Sequence, residues 1–130
     1  MEQNDNTLEL LLNMEVPSPQ EKQVKIKRLS ECCGKDIVFR LKQLSYNRIS
    51  EIKEQHRLDG DFSVFVVLAG TVSPNLKSKE LQEKYKAVTP AELLKTMLLP
   101  GEIEDLDRVI EHLCGYRENT LEYLEEVKKK

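Results

Sequence analysis

The spacing of apolar residues changes character several times along the chain. Residues 7–14 place Leu8, Leu10, Leu11 and Leu12 on more than one side of a short helix that Thr7 is suited to cap. Two helical turns are marginal in water, so this helix must dock on the domain or on something else. Residues 1–6 are polar and are expected to be disordered. Val16-Pro17-Ser18-Pro19 reads as an extended tether, because a residue preceding proline avoids the helical region. From 22 to 42 the period is two. Val24 and Ile26 share a face, as do Ile37, Phe39 and Leu41, while Lys25, Lys27, Arg40 and Lys42 take the opposite sides. This predicts an antiparallel hairpin whose turn runs through 30–35, with Gly34 supplying a positive φ and Cys32 and Cys33 in or beside the turn. A lone hairpin is marginally stable, so its apolar face must lie against helices.

Helical spacing then takes over. Ser45 caps a helix to about Arg57 with Tyr46, Ile49, Ile52 and His56 roughly along one stripe. The segment 62–72 (Phe-Ser-Val-Phe-Val-Val-Leu-Ala-Gly-Thr-Val) is ambiguous from its residues. Its valines favour a strand, whereas Asp61 as a cap and the spacing of Phe62, Phe65, Val66 and Ala69 favour a buried helix. Ser73-Pro74-Asn75 is a turn, and Ser78 caps a short helix to Tyr85. The strongest local signals lie in 89–116. Thr89 caps a helix, Pro90 suits its first position and Glu92 completes a capping box. Leu93, Leu94, Met97 and Leu98 follow at helical spacing until Pro100-Gly101 breaks the helix. Ile103, Leu106, Ile110 and Leu113 mark the next helix, and Gly115 sits where a C-terminal cap belongs. A final helix is predicted over 118–129, bearing Leu121, Leu124 and Val127.

Composition narrows the class. One domain with a modest core is expected of 130 residues, 39% of them apolar. No apolar run approaches a membrane span, and the N-terminus is acidic where a signal peptide would be basic, so a cytoplasmic protein without membrane association is expected. Cys32, Cys33 and Cys114 form no disulfide framework. The net charge of −3 is unevenly spread. Residues 1–21 hold five acids and no base, and residues 22–57 hold ten bases and four acids, for +6. The basic section reads first as the solvated face of the hairpin.

Candidate chemistry is sparse. His112 and Cys114 are two apart on a helix and point about 200° apart, so they do not share a metal from one face. Cys32-Cys33 lacks the gap of structural zinc sites. The five glycines are scattered singly, so no phosphate loop is present. Glu102, Glu104, Asp105 and Asp107 sit on the first turns of a helix, where facing water and offsetting the dipole is their expected role. The residues alone therefore predict a non-enzymatic protein with no cofactor and no metal. It would grip another protein through the apolar stripes at its two ends, with Leu8, Leu11, Leu12, Leu121, Leu124 and Val127 as the candidate contacts. A general helix-binding adaptor and a nucleic-acid binder using the basic ribbon are the alternatives. The low aromatic content and acidic balance argue against the second, so no nucleic acid is expected.

Three stretches carry a resemblance. They are the hairpin Val-Lys-Ile-Lys-Arg-Leu-Ser-Glu with Asp-Ile-Val-Phe-Arg-Leu-Lys-Gln-Leu-Ser, the apolar segment ending Val72-Ser73-Pro74, and Thr-Pro-Ala-Glu-Leu-Leu-Lys-Thr-Met-Leu-Leu-Pro-Gly-Glu-Ile running to Gly115-Tyr116. In this order they resemble the XkdN-like phage tail assembly chaperones of contractile-tail modules. Thr89, Pro90, Pro100, Gly101, Glu102, Ile103, Gly115 and Tyr116 carry the signature as structural residues. Cys114 stands where a Ser is expected. The resemblance favours helix for 62–72. It implies a non-catalytic chaperone of a phage or prophage that binds the hydrophobic tape measure protein and keeps it soluble during tail tube assembly. The tail tube protein and further copies of the chain are secondary candidate partners. The implied place of action is the bacterial host cytoplasm, not the mature virion. The expected fold is α+β: one antiparallel hairpin packed against about five helices, with a mostly helical C-terminal half. Residues 1–21 form an N-terminal helix and proline-containing linker, and 22–130 form the domain.

Overall fold

The computed structural model describes residues 2–117 and 119–124. Among them, seven helices and a three-stranded antiparallel sheet form a mixed α+β fold. The elements are α1 (Glu2–Asn13), β1 (Glu21–Lys25), α2 (Lys27–Cys33), β2 (Val38–Lys42), α3 (Tyr46–His56), α4 (Phe62–Gly70), β3 (Thr71–Ser73), α5 (Lys79–Lys84), α6 (Pro90–Met97) and α7 (Pro100–Leu113). No described helix is long and apolar enough to cross a membrane.

The period-two reading of the hairpin holds. Glu21 pairs with Lys42 and Lys25 with Val38, which places Val24 beside Phe39 on the inner face. Phe39 and Leu41 are fully buried there. The predicted turn, however, is the helix α2. Ile26 ends the ladder by donating its N–H to Ile37 O at 3.1 Å, and its own carbonyl accepts from Ser30 N. Ser30 is buried, and its Oγ accepts from Ile37 N at 2.8 Å, so one side chain joins the helix to the returning strand. Gly34 closes α2 at φ +81°. Lys27 and both adjacent cysteines therefore belong to a helix. A single two-turn helix has too few apolar positions to declare a period of its own.

The ambiguous segment 62–72 is a helix as far as Gly70. Val64, Val66, Val67 and Gly70 are buried on α4, where packing overrides the low helix propensity of valine. Thr71 then turns into β3, which pairs with β2 and gives the order β1-β2-β3. Asp61 does not cap α4. Its carboxylate takes Lys95 Nζ at 3.0 Å instead, tying the start of α4 to α6.

The corner between α6 and α7 follows its sequence signals closely. Thr89 Oγ1 accepts from Glu92 N at 3.1 Å, although the Glu92 carboxylate reaches Val88 N rather than Thr89 N. Pro100 stops α6 and also opens α7 as its first residue, where its missing N–H is no loss. Glu102 accepts from Leu99 N at 2.8 Å. At the far end Tyr116 N reaches Glu111 O and Gly115 N reaches His112 O, with Gly115 at φ +95°, a paired C-terminal cap. Thus braced, α7 lays Ile103, Leu106 and Ile110 into one core with α4, α6 and the inner sheet face.

Candidate partner-binding surface

The two predicted contact regions lie outside that core. On α1, Leu8, Leu11 and Leu12 are 60%, 61% and 72% exposed, and Leu10 and Met14 are exposed as well. Every residue from 6 to 20 is exposed, so this part of α1 and its Val16–Pro19 tether are not buried against their own domain. The helix starts earlier than expected, at Glu2 rather than near Thr7. At 100° per residue, Leu8, Leu11 and Leu12 make one stripe and Leu10 and Met14 a second, on a different side. Met14 N still donates to Leu10 O at 3.0 Å, so the helical path continues through it. A helix apolar on more than one side is ordinarily a buried helix.

The C-terminal region differs from expectation. Residues 119–124 form no helix: the chain leaves the Gly115 cap in an irregular path, with Arg117 at φ +62°. Leu121 and Leu124 are each 84% exposed, and Val127 lies outside the described residues. The remainder of the predicted final helix lies there too. In the sequence, acids at 118, 122, 125 and 126 and lysines at 128–130 suit a helix dipole, but dipole terms of about 0.3–1 kcal/mol each are a weak signal without a packing face.

The signature residues are structural. Thr89, Pro90 and Pro100 begin helices, Gly101 lies on the exposed first turn of α7, and Ile103 is buried. Gly115 caps α7, and Tyr116 offers its ring to Lys53 Nζ, 5.6 Å from the centroid. Glu102 does more than cap. Its two oxygens accept from Arg28 Nη2 at 2.9 Å and Nε at 3.0 Å, a bidentate pair, while Arg28 Nη2 also reaches Met97 O. Hydrogen bonding to Arg28 holds the Glu102 carboxyl below the usual range despite partial burial. This clamp joins α2 to the α6–α7 corner.

The acidic group at the start of α7 splits. Glu104 and Asp105 face water as expected, but Asp107 is buried. One turn on, Glu111 is buried too, and the two carboxyls interact. Ser63 Oγ donates to Asp107 Oδ2 at 3.1 Å and Arg117 Nη1 to Glu111 Oε1 at 2.6 Å, leaving Asp107 Oδ1 with no protein donor. Burial first, then the Glu111 carboxyl, pushes Asp107 up to about 7. Burial also raises Glu111, but hydrogen bonds from Asp107 and Arg117 outweigh it and hold that carboxyl low. Two buried carboxyls one helical turn apart, one pushed up and the other held low, favour a single proton kept on Asp107. Asp107 and Glu111 are four apart, as Ile103 is from Asp107; only the apolar neighbours at 103, 106 and 110 hinted that both acids would turn inward.

Other chemistry-bearing groups are spread out. Cys32 and Cys33 are exposed free thiols, and Cys114 Sγ accepts from Leu44 N at 3.3 Å as a half-buried packing residue. His56 stacks on Phe65 at 3.6 Å between ring centroids and pairs with Asp59. Among the described residues no three His, Cys, Asp or Glu side chains converge on a common point. A shallow groove of about 370 Å³ runs between β1 and α7, floored by Ile26 and Leu106 and crossed by the Arg28–Glu102 clamp.

Comparison with known proteins agrees on one group. The family profile described as phage XkdN-like tail assembly chaperone protein matches residues 8–128. Protein XkdN of the phage-like element PBSX of Bacillus subtilis strain 168 is 30% identical, with 98% of each chain covered. Protein YqbN of the same strain is 30% identical over 98% of this chain and 97% of its own. A crystal structure of YqbN superposes with a TM-score of 0.66 at 26% identity, covering 78% of this chain and 90% of that one.

Proposed function

The chain belongs to the phage XkdN-like tail assembly chaperone family, and on that premise we propose that it binds the tape measure protein of its tail and keeps that protein soluble while the tube is built. The observation that carries this reading is α1: a leucine-rich helix, exposed from Asn6 to Asn13 and attached by a proline tether. Such a helix lacks only a surface to cover it. A long helical rod with exposed apolar stripes has the complementary need, because uncovered stripes of that size drive aggregation. Helix packing between the two removes both exposed faces from water.

The tether suits the task. Val16-Pro17-Ser18-Pro19 lets α1 reach a client while the domain stays outside as a bulky, charged spacer. A single short helix gives modest affinity, so many copies along one client supply holding strength, and each copy leaves readily as tube subunits arrive. The chaperone acts by binding, without catalysis, in the host cytoplasm during assembly, and is absent from the finished virion. Leu121 and Leu124 are a second, smaller contact.

Co-expression tests the reading. With this chain present, the cognate tape measure protein should move from the insoluble to the soluble fraction and copurify. A client that stays insoluble, or stays soluble without ever copurifying, would rule the proposal out. Leu121→Asp with Leu124→Asp should leave the fold intact and weaken retention.

A further inference from the structure

The apolar residues of α1 cover more of its circumference than one neighbour can use. With Leu11 as the zero of the helical wheel, at about 100° per residue, Leu8 and Met14 lie about 60° to either side and Leu12 and Leu10 about 100° to either side. The apolar arc is therefore about 200° wide and centred on Leu11, and of residues 6–14 only Thr7 interrupts it. Asn6, Glu9 and Asn13 fall within about 40° of the opposite pole, a narrow polar strip. A helix resting on one surface needs an apolar stripe of only about 100°. Leu10 and Leu12 point about 160° apart, so a single partner helix does not reach both. All five apolar residues are more than half exposed. The groove between β1 and α7 holds about 370 Å³, whereas a helix about 18 Å long and about 10 Å across fills roughly 1,400 Å³. That groove, on this copy or another, is too small to take α1. A bundle made only of α1 copies would be about three turns long, and helices that short are marginal without a longer partner.

Resting on the reading of this chain as a holder of the tape measure protein, we propose that α1 seats in a cleft between two client helices lying side by side and becomes the third helix of a local bundle. Leu11 points into the seam between the two. Leu8 and Leu12 pack on one wall and Leu10 and Met14 on the other, while Asn6, Glu9 and Asn13 stay in water. The chemistry of the partner follows from this layout: two long, adjacent helices whose apolar sides flank a common groove. The consequence is selectivity. Only a pair of helices offers two walls, so α1 recognises client helices that are already paired, and a lone helix leaves one side of α1 wet. Each α1 covers about 18 Å of such a cleft, so a longer cleft takes several copies in file.

Co-expression of the full chain with the cognate tape measure protein tests this, reading the amount of soluble client that copurifies. One variant wets the first wall (Leu8→Gln with Leu12→Gln) and another the second (Leu10→Gln with Met14→Gln). Glutamine is nearly as good a helix former as leucine, so both keep the helix while removing its apolar contact. Each should lower recovery roughly tenfold or more, and Asn6→Ala with Glu9→Ala should leave it unchanged. A photocrosslinking residue placed at position 10 or at position 12 should attach to the client from both positions, and one placed at position 9 should not. Loss with one pair but not the other, or crosslinks from only one of positions 10 and 12, means a single client helix. That result overturns the cleft and leaves the chaperone reading standing. Recovery indifferent to both pairs overturns the cleft and removes α1 from client binding altogether. Crosslinks that run from α1 into a second copy of this chain, rather than into the client, also overturn the proposal.

Discussion

Gly70→Ala is expected to destabilise the protein by about 1–3 kcal/mol, and Gly70→Val by more. Gly70 ends α4 where it crosses α7, and it is buried. A Cβ there would lie 2.7 Å from Ile110 Cδ1 and 3.1 Å from both Cγ atoms. Ile110 is fully buried and β-branched, and its side chain is largely confined to one χ1 well on a helix, so it cannot swing aside. The gain of about 0.5–1 kcal/mol that alanine usually brings to a helix is smaller than this overlap. The mechanism makes a sharper forecast than the sign alone. Ile110→Ala by itself should cost about 2–5 kcal/mol through its cavity. Combined with Gly70→Ala it should cost clearly less than the sum, because the new methyl enters the vacated space. Denaturant unfolding of the four proteins measures the coupling, and strict additivity would show that the contact is not the cause.

The second large effect is a dependence of stability on pH. Asp107 is held up at about 7 against an ordinary value of 3.8. Between those values the folded protein keeps a proton that the unfolded chain has released. Stability therefore falls as pH rises from about 4 to about 7 and levels off above that. Three pH units at 1.36 kcal/mol each set a ceiling of about 4 kcal/mol. The depressed carboxyls, Glu102, Glu111 and Asp59, act with the opposite sign and at lower pH, below their ordinary range. The window from pH 5 to 7 thus belongs to Asp107. Asp107→Asn keeps an acceptor for Ser63 and a donor for Glu111 while removing the proton. It should flatten the profile in that window and make the protein at least as stable as the unmodified chain at pH 8. Parallel profiles for the two proteins would contradict the shared-proton pair.

These two sites also show what the sequence could carry. The corner at 97–101 and the caps at Ser45, Ser78, Thr89 and Gly115 were legible because each depends on a few adjacent residues. The hairpin register was legible because one buried face imposes a strict alternation on Val24, Phe39 and Leu41. What stayed hidden depends on partners far along the chain. Arg28 reads as a solvated base until Glu102, 74 residues away, is placed beside it. Gly70 reads as a loose end until Ile110 arrives. Asp107 and Glu111 read as surface acids because charge normally faces water, and only α4 crossing at Ser63 encloses them. In 62–72 the helical spacing was correct and packing overrode the strand preference of Val64, Val66 and Val67, while the end of the helix at Gly70 was set by pairing of Thr71–Ser73 with β2. The candidate contacts on α1 were visible as leucines too numerous for one face. Their exposure emerged only once the domain was assembled.

The proposed role of α1 is to hold the client of this tail assembly chaperone. It is tested most directly by co-expressing the cognate tape measure protein with either the unmodified chain or one carrying Leu8→Asp, Leu11→Asp and Leu12→Asp, and measuring how much soluble client copurifies. All three leucines are exposed in the isolated chain, so the substituted protein should melt as the unmodified one does. The expected result is soluble, copurifying client with the unmodified chain and client in the pellet with the substituted one. Equal recovery with both chains would contradict it.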